Sequence, residues 1–202
     1  MPPDGFAYPD QPHSRKHGPQ GYRDYSSFRD WVRDEFLFRC IFCLRREMWE
    51  IGDSEFHLDH FVPVSIAPQL ELEYDNLVYS CGFCNECRPE DVLPPRPEAV
   101  AYGACVMVDG AGRITALNED GQLLLDCLGL DEKEFVEWRR RWIRILAAAR
   151  QQDPDLYTEL LRFPDDLPDL RQKHPSGGNT RPEGIAESCL ERRRRGELPV
   201  IY

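Results

Sequence analysis

Two cysteine pairs carry the clearest chemistry in the sequence. Cys40-Ile41-Phe42-Cys43 and Cys81-Gly82-Phe83-Cys84 are each C-x₂-C, with 37 residues between Cys43 and Cys81. Two residues between thiolates let one turn aim both sulfurs at one ion. Two such turns complete a tetrahedral Cys₄ set, which closes the coordination sphere and makes the metal structural, zinc above all. A redox dithiol is the competing reading, but no βαβ pattern surrounds either pair. Chance spacing of buried cysteines is the plain alternative, and two pairs in one chain argue against it. Cys87, three residues past Cys84, is a rival thiol, and Cys84 is preferred. Cys105, Cys127 and Cys189 sit in apolar or helical contexts and read as small core residues.

Between the pairs lies a second set. Phe56-His57-Leu58-Asp59-His60-Phe61-Val62-Pro63 alternates and reads as a strand ending at Pro63, and Leu77-Val78-Tyr79-Ser80 reads as another. From Cys81 the chain can turn into a helix. Strand, loop, strand, helix gathers Asp59 and His60 from the first strand and Asn85 from the helix, with Asn76 where the second strand begins. Asp59 and Asn85 are oxygen donors, suited to Mg²⁺ or Mn²⁺ with positions left for water and phosphate. His60 points away from Asp59 across the strand, and an imidazole titrating near neutrality suits a general base.

Asp59-His60-Phe61-Val62-Pro63, Asp75-Asn76-Leu77-Val78 and Cys81-Gly82-Phe83-Cys84-Asn85 with Arg88, taken in that order, resemble the HNH endonuclease motif in its Cys₄-zinc form. The resemblance covers about 50 residues, a quarter of the chain. The step from Asn76 to Asn85 is similar to that in HNH domains of RNA-guided CRISPR nucleases, and the flanking chain resembles small stand-alone bacterial HNH proteins. The resemblance implies a ββα-metal fold from about Cys40 to Arg88 and hydrolysis of phosphodiesters, with His60 activating water. A divalent ion would be held by Asp59 and Asn85; many members carry His where Asn85 stands. It also implies that Asn76 holds the loop and the base histidine in place. Arg88 stands where the family often has Lys and is carried over as a phosphate contact, although Pro89 follows where Gly is common. His57 shares Asp59's strand face. It reads as an ordinary strand histidine, with a further ligand or substrate contact as the sharper reading.

The remaining chain must support this core. Residues 1–25 are rich in Pro, Gly and polar residues without periodicity and read as a flexible arm. A helix capped by Ser26 or Ser27 should carry Phe28, Trp31, Val32 and Phe36 and end near Arg39, so that residues 26–98 form the nuclease core with its leading helix. The prolines of Leu93-Pro94-Pro95-Arg96-Pro97 read as a rigid connector. Residues 99–163 should hold a hairpin, Ala104–Val108 with Arg113–Leu117, and three helices: Gln122–Leu128, one from a cap at Asp131 to about Arg150, and one starting at Pro154. The long helix has Phe135, Trp138, Trp142, Ile145, Leu146 and Ala149 as its apolar stripe, with Arg139, Arg140, Arg141 and Arg144 largely off it. Residues 164–202 read as a loop, then an Arg-rich helix over roughly Ile185–Arg195. The expected class is α+β, a small zinc-stapled ββα core embedded in a mostly helical chain.

Composition sets limits on function. Among the 202 residues 41% are hydrophobic, which suffices for a core, and no run of 18 apolar residues exists to span a membrane. The N-terminus lacks a secretory h-region, so the expected location is the cytoplasm, where thiols stay reduced. Net charge is −11, and residues 26–90 alone carry −7. Nonspecific DNA affinity comes from cations on phosphates. The expectation is therefore weak, metal-dependent DNA binding, or a basic protein partner that supplies affinity. Arginines outnumber lysines 22 to three, which suits bidentate phosphate contacts but also follows from a GC-rich genome. Arg139–Arg141 with Arg144, and Arg192–Arg195, read either as phosphate-tracking clusters or as solvated helix faces. The leading reading is a metal-dependent HNH endonuclease acting on DNA. DNA over RNA follows from the family alone, and a role in defence against foreign DNA rests on the same analogy. The alternative is a zinc-stabilised nucleic-acid- or protein-binding module without turnover. An intact Asp59, His60, Asn76 and Asn85 set argues against that module, and an oxidoreductase built on Cys81 and Cys84 is the least supported.

Overall fold

The structure, a computed structural model, describes residues 2–50 and 55–202. It is α+β, and the chain forms two compact units. One comprises the residues up to Ser14 with Glu86–Arg162, the other Arg15–Asn85 with Phe163–Tyr202.

The second unit holds the motif. A 3₁₀ turn at Tyr25–Phe28 leads into helix α1 (Arg29–Glu35), which buries Phe28, Trp31 and Val32 completely. The cap is Asp24, whose carboxylate accepts from the Ser26 amide, and neither Ser26 nor Ser27 fills that role. The helix also stops four residues before Arg39, because Leu37 and Phe38 take positive φ (55° and 57°) and turn the chain back. Such a conformation costs a non-glycine residue about 1–2 kcal/mol. Complete burial of the Phe38 side chain and a hydrogen bond from its amide to the Arg33 carbonyl (2.9 Å) offset that cost. Strand β1 (Phe56–His60) pairs antiparallel with β2 (Leu77–Cys81), with Asp59 opposite Val78 and His60 opposite Leu77. Helix α2 (Gly82–Cys87) follows β2 without a loop, and the boundary between the units falls inside it. Near the C-terminus, α7 (Cys189–Arg194) is shorter than its Arg-rich pattern suggested.

The end of α1 carries buried charge, and each buried charge has a partner, as desolvation demands. Arg33 forks onto Glu47 (2.9 and 2.7 Å), which also accepts from the Tyr79 hydroxyl. Asp34 accepts from the Cys189 amide (2.8 Å) and bonds the His17 ring (2.9 Å). Glu35 accepts from the amides of Lys16 and His17 and from the Tyr74 hydroxyl. Residues 18–21 then run beside 177–180, through Gln20–Gly178 and Thr180–Gly18 backbone bonds.

The first unit holds α3 (Tyr102–Cys105), the hairpin β3 (Val106–Val108) and β4 (Ile114–Ala116), α4 (Glu119–Leu128), α5 (Lys133–Gln152) and α6 (Pro154–Leu161). The hairpin strands are shorter than expected, since Ala104 and Cys105 belong to α3. Gly112 closes the hairpin turn at φ 80°, where a Cβ would lie 2.6 Å from the Arg140 amide. Phe6 is buried against the Trp138 ring, and Asp4 accepts from Arg150 and Tyr157. Up to Asp24 the described residues of the segment read as an arm lack regular helix or strand, yet they are held by Phe6, the Asp4 carboxylate and backbone bonds, which leave no periodic trace. Among the described residues no helix is long and apolar enough to cross a membrane.

Candidate metal centre and active site

The first cysteine pair sits in a tight turn. The Cys40 amide bonds the Arg45 carbonyl (2.8 Å), the Leu44 amide bonds the Cys40 carbonyl (3.1 Å), and Leu44 takes φ 62°. The Ile41 amide fastens this turn to β2 at the Tyr79 carbonyl (3.0 Å). Cys81 closes β2 and Cys84 lies in the first turn of α2, so the second pair arises where a strand passes directly into a helix. All four cysteines are buried, and their Sγ atoms lie within 4.8 Å of one another. Cys43 and Cys81 Sγ are 3.6 Å apart. That exceeds a disulfide bond and is close to the ~3.8 Å between sulfurs placed tetrahedrally at 2.3 Å from zinc. Burial pushes the Cys43 and Cys84 thiols up, whereas hydrogen bonds from Cys40, Cys43 and Cys84 hold Cys81 down. Four thiols so placed favour a dication that neutralises several thiolates together. Arg45, held near them and paired with Glu50, is the local cation. Cys87 is exposed and Cys105, Cys127 and Cys189 are buried; none joins the cluster found among the described residues.

His60 is half-buried, and its Nε2 lies 2.9 Å from the Glu71 carbonyl oxygen. A carbonyl only accepts, so Nε2 carries the proton and, in the neutral ring, the lone pair is at Nδ1. Asn76, 2% exposed, locks the loop that presents Glu71. Its Oδ1 accepts from the Val62 amide (2.8 Å), while its Nδ2 donates to the carbonyls of Val62 (3.0 Å) and Leu70 (3.4 Å). The Phe61 amide adds a bond to the Asn76 carbonyl (2.7 Å). One side chain thus ties the residues just after His60 to the residue just before Glu71.

Asp59 is buried on the opposite strand face, which it shares with the exposed His57. A Cβ on Gly82 would lie 3.4 Å from the His57 Nε2, so α2 begins against that same face. Asn85 follows on α2, one turn after Gly82, and is half-buried. Asp59 and Asn85 each carry a side-chain oxygen of the kind that binds hard divalent cations. Arg88 lies just beyond α2 in the first unit and is half-buried.

Sequence reasoning missed three contributors. Glu71 acts through a main-chain carbonyl, which no residue type signals. Tyr25 and Arg29 precede the motif. Tyr25 packs its ring 5.0 Å from that of His60, and Arg29 donates to the Phe56 carbonyl of β1 (3.1 Å). An aromatic residue beside a helix start was the only available signal. One expectation about the Arg clusters is corrected. Arg139 lies inside the first unit, fully buried, donating to the carbonyls of Gly112 (2.8 Å) and Leu130. Arg140 bonds the Ala111 carbonyl, and Arg193, Arg194 and Arg195 bond Pro164, Asp169 with Glu191, and Glu197 with Ala186. Backbone carbonyls hold Arg139, Arg140 and Arg193, carboxylates hold Arg194, and Arg195 meets one of each.

Residues 40–89 match the family model described as HNH endonuclease. The segment contains the strand pair, both cysteine pairs, His60, Asn76 and Asn85, so the chain carries an HNH endonuclease domain over about a quarter of its length. No curated protein matches the chain.

Proposed function

We propose that the protein is a metal-dependent endonuclease that hydrolyses phosphodiester bonds of DNA, with His60 as general base. The observation that carries this reading is the Glu71 carbonyl on the His60 Nε2, which leaves Nδ1 as the nitrogen able to take a proton from water. The positioned base contributes on the order of 10²–10⁴-fold. Asn76 keeps Glu71 and the turn after His60 in register, and so holds the base without touching substrate. Asp59 and Asn85 would hold Mg²⁺ or Mn²⁺, which when bound supplies Lewis-acid stabilisation of the phosphate and leaving oxygen. Zinc at Cys40, Cys43, Cys81 and Cys84 would be structural, since four thiolates leave no open position. His57 and Arg88 are the substrate contacts that this reading assigns. A thiol-reducing compartment, the cytoplasm, keeps the cysteines competent as ligands.

Incubation of zinc-loaded protein with supercoiled plasmid and added Mg²⁺ or Mn²⁺ tests the proposal, and nicked or linear product is expected. A second reading, a zinc-stabilised module without turnover, is favoured by the −7 charge of residues 26–90. It predicts intact plasmid with every metal. Under the first reading the same acidity means that DNA affinity depends on the divalent ion or on a basic protein partner.

A further inference from the structure

Tyr25 lies outside the matched segment and still reaches its histidine. The two rings are tilted by 58° with centroids 5.0 Å apart, and Tyr25 remains 39% exposed. The hydrogen bond at Nε2 fixes one atom of the imidazole, and a packed aromatic ring restricts the swing of the ring about that bond.

Tyr25 is itself well held. Asp24 caps its 3₁₀ turn through the Ser26 amide (2.9 Å). Phe28, fully buried, packs on the rings of Tyr22 and Tyr74 at 4.9 and 5.9 Å. Arg29 ties the same turn to β1 through the Phe56 carbonyl, and its guanidinium lies 5.9 Å from the Tyr79 ring centroid. The turn therefore moves with β1, the strand that carries His60. No hydrogen bond engages the Tyr25 hydroxyl among the described residues, and the contact with His60 is ring to ring.

We infer that Tyr25 is a positioning residue for His60. Its ring and the Glu71 carbonyl together hold the imidazole in one orientation and one tautomer, with Nδ1 left to take the proton. The inference rests on His60 being the base. It adds that a residue upstream of the HNH segment completes the site, so the segment alone is an incomplete catalyst.

The test uses the full-length, zinc-loaded protein and its Tyr25→Phe, Tyr25→Ala and Tyr25→Leu variants. Imidazole ¹⁵N spectra at pH 8 report the His60 tautomer, and plasmid cleavage reports kcat and KM. Wild type and Tyr25→Phe should both show Nε2–H alone and equal kcat. Tyr25→Ala should show mixed tautomers and a fall in kcat of about 10- to 100-fold, with KM little changed, as for a misplaced catalytic group. Tyr25→Leu, which keeps bulk without a flat ring, should move the same way and carries the test if the alanine variant does not fold. An unchanged tautomer and kcat in the Ala and Leu variants would overturn the inference, as would a Phe variant as impaired as Ala. Wild type that never cleaves, with the tautomer responding as described, would instead remove the nuclease reading and leave the Tyr25 contact standing.

Discussion

Replacing Asn76 by Ala removes two good hydrogen bonds to the Val62 amide and carbonyl and a longer one to the Leu70 carbonyl. Each buried backbone group left unsatisfied costs about 1–3 kcal/mol. The Leu70 bond, at 3.4 Å, contributes little. Because Val62 is only half-buried, water recovers part of the loss, which leaves about 2–4 kcal/mol. That is less than the roughly 5–15 kcal/mol typical of a folded domain, so the variant should fold. The same change releases the turn at Val62, two residues after His60, and loosens the weaker tie to the loop that presents Glu71, so cleavage should fall by as much as ~10²-fold through a displaced His60. Asn76→Asp should be worse than Ala, because it sets an acceptor against two carbonyl oxygens. Urea unfolding at fixed zinc gives the stability, and plasmid cleavage gives the activity. An Asn76→Ala protein destabilised by the stated amount yet cleaving within twofold of wild type would refute the link from Asn76 through Glu71 to His60.

Other outcomes follow from the same geometry. Removing zinc with a strong chelator, or changing both cysteines of either pair to Ser, should unfold the second unit, because a structural zinc contributes roughly 10–16 kcal/mol of apparent binding energy in small domains. Elemental analysis that finds no zinc in folded protein would contradict this. Asp59→Ala and Asn85→Ala should lose cleavage at low Mn²⁺, regain part of it at high Mn²⁺ by mass action, and retain zinc; titrating the metal against cleavage checks all three. Arg139→Ala should lower stability by about 2–4 kcal/mol, since it strips buried carbonyls of their donors. It should leave DNA affinity unchanged, and a filter-binding loss without a stability loss would show that the arginine serves nucleic acid after all.

Much of the site is legible in the sequence because it depends on local spacing. C-x₂-C forces two sulfurs onto one turn wherever it occurs, and the alternation through Phe56–His60 fixes which residues share a strand face. The ends of elements were harder to read. The periodicity of α1 runs to Phe36, but the left-handed pair Leu37 and Phe38, β-region or helical by any local propensity, is stabilised by the burial of Phe38 and by amide bonds back to Arg33 and Asp34. The arginines show the same limit. Arg139 is of a type that usually faces solvent, and the carbonyls of Gly112 and Leu130 together with the Phe135 ring hold it inside. Glu71 was invisible for a different reason, since its backbone does the work and any side chain would serve. Tyr25 and His17 lie in a stretch without period, and both are held by residues distant in sequence, His60 for Tyr25 and Asp34 with Glu35 for His17.

The proposed chemistry gives His60 the role of base and Asp59 and Asn85 the metal. The most direct test is Mn²⁺ titration of plasmid cleavage by the zinc-loaded His60→Ala protein beside wild type. Wild type should cleave in a metal-dependent way, and the variant should keep its catalytic-metal affinity while its rate is lower by about 10²–10⁴-fold at every Mn²⁺ concentration. Recovery of the variant at high Mn²⁺, or a collapse of its metal affinity, would show that His60 is a ligand and contradict the assignment.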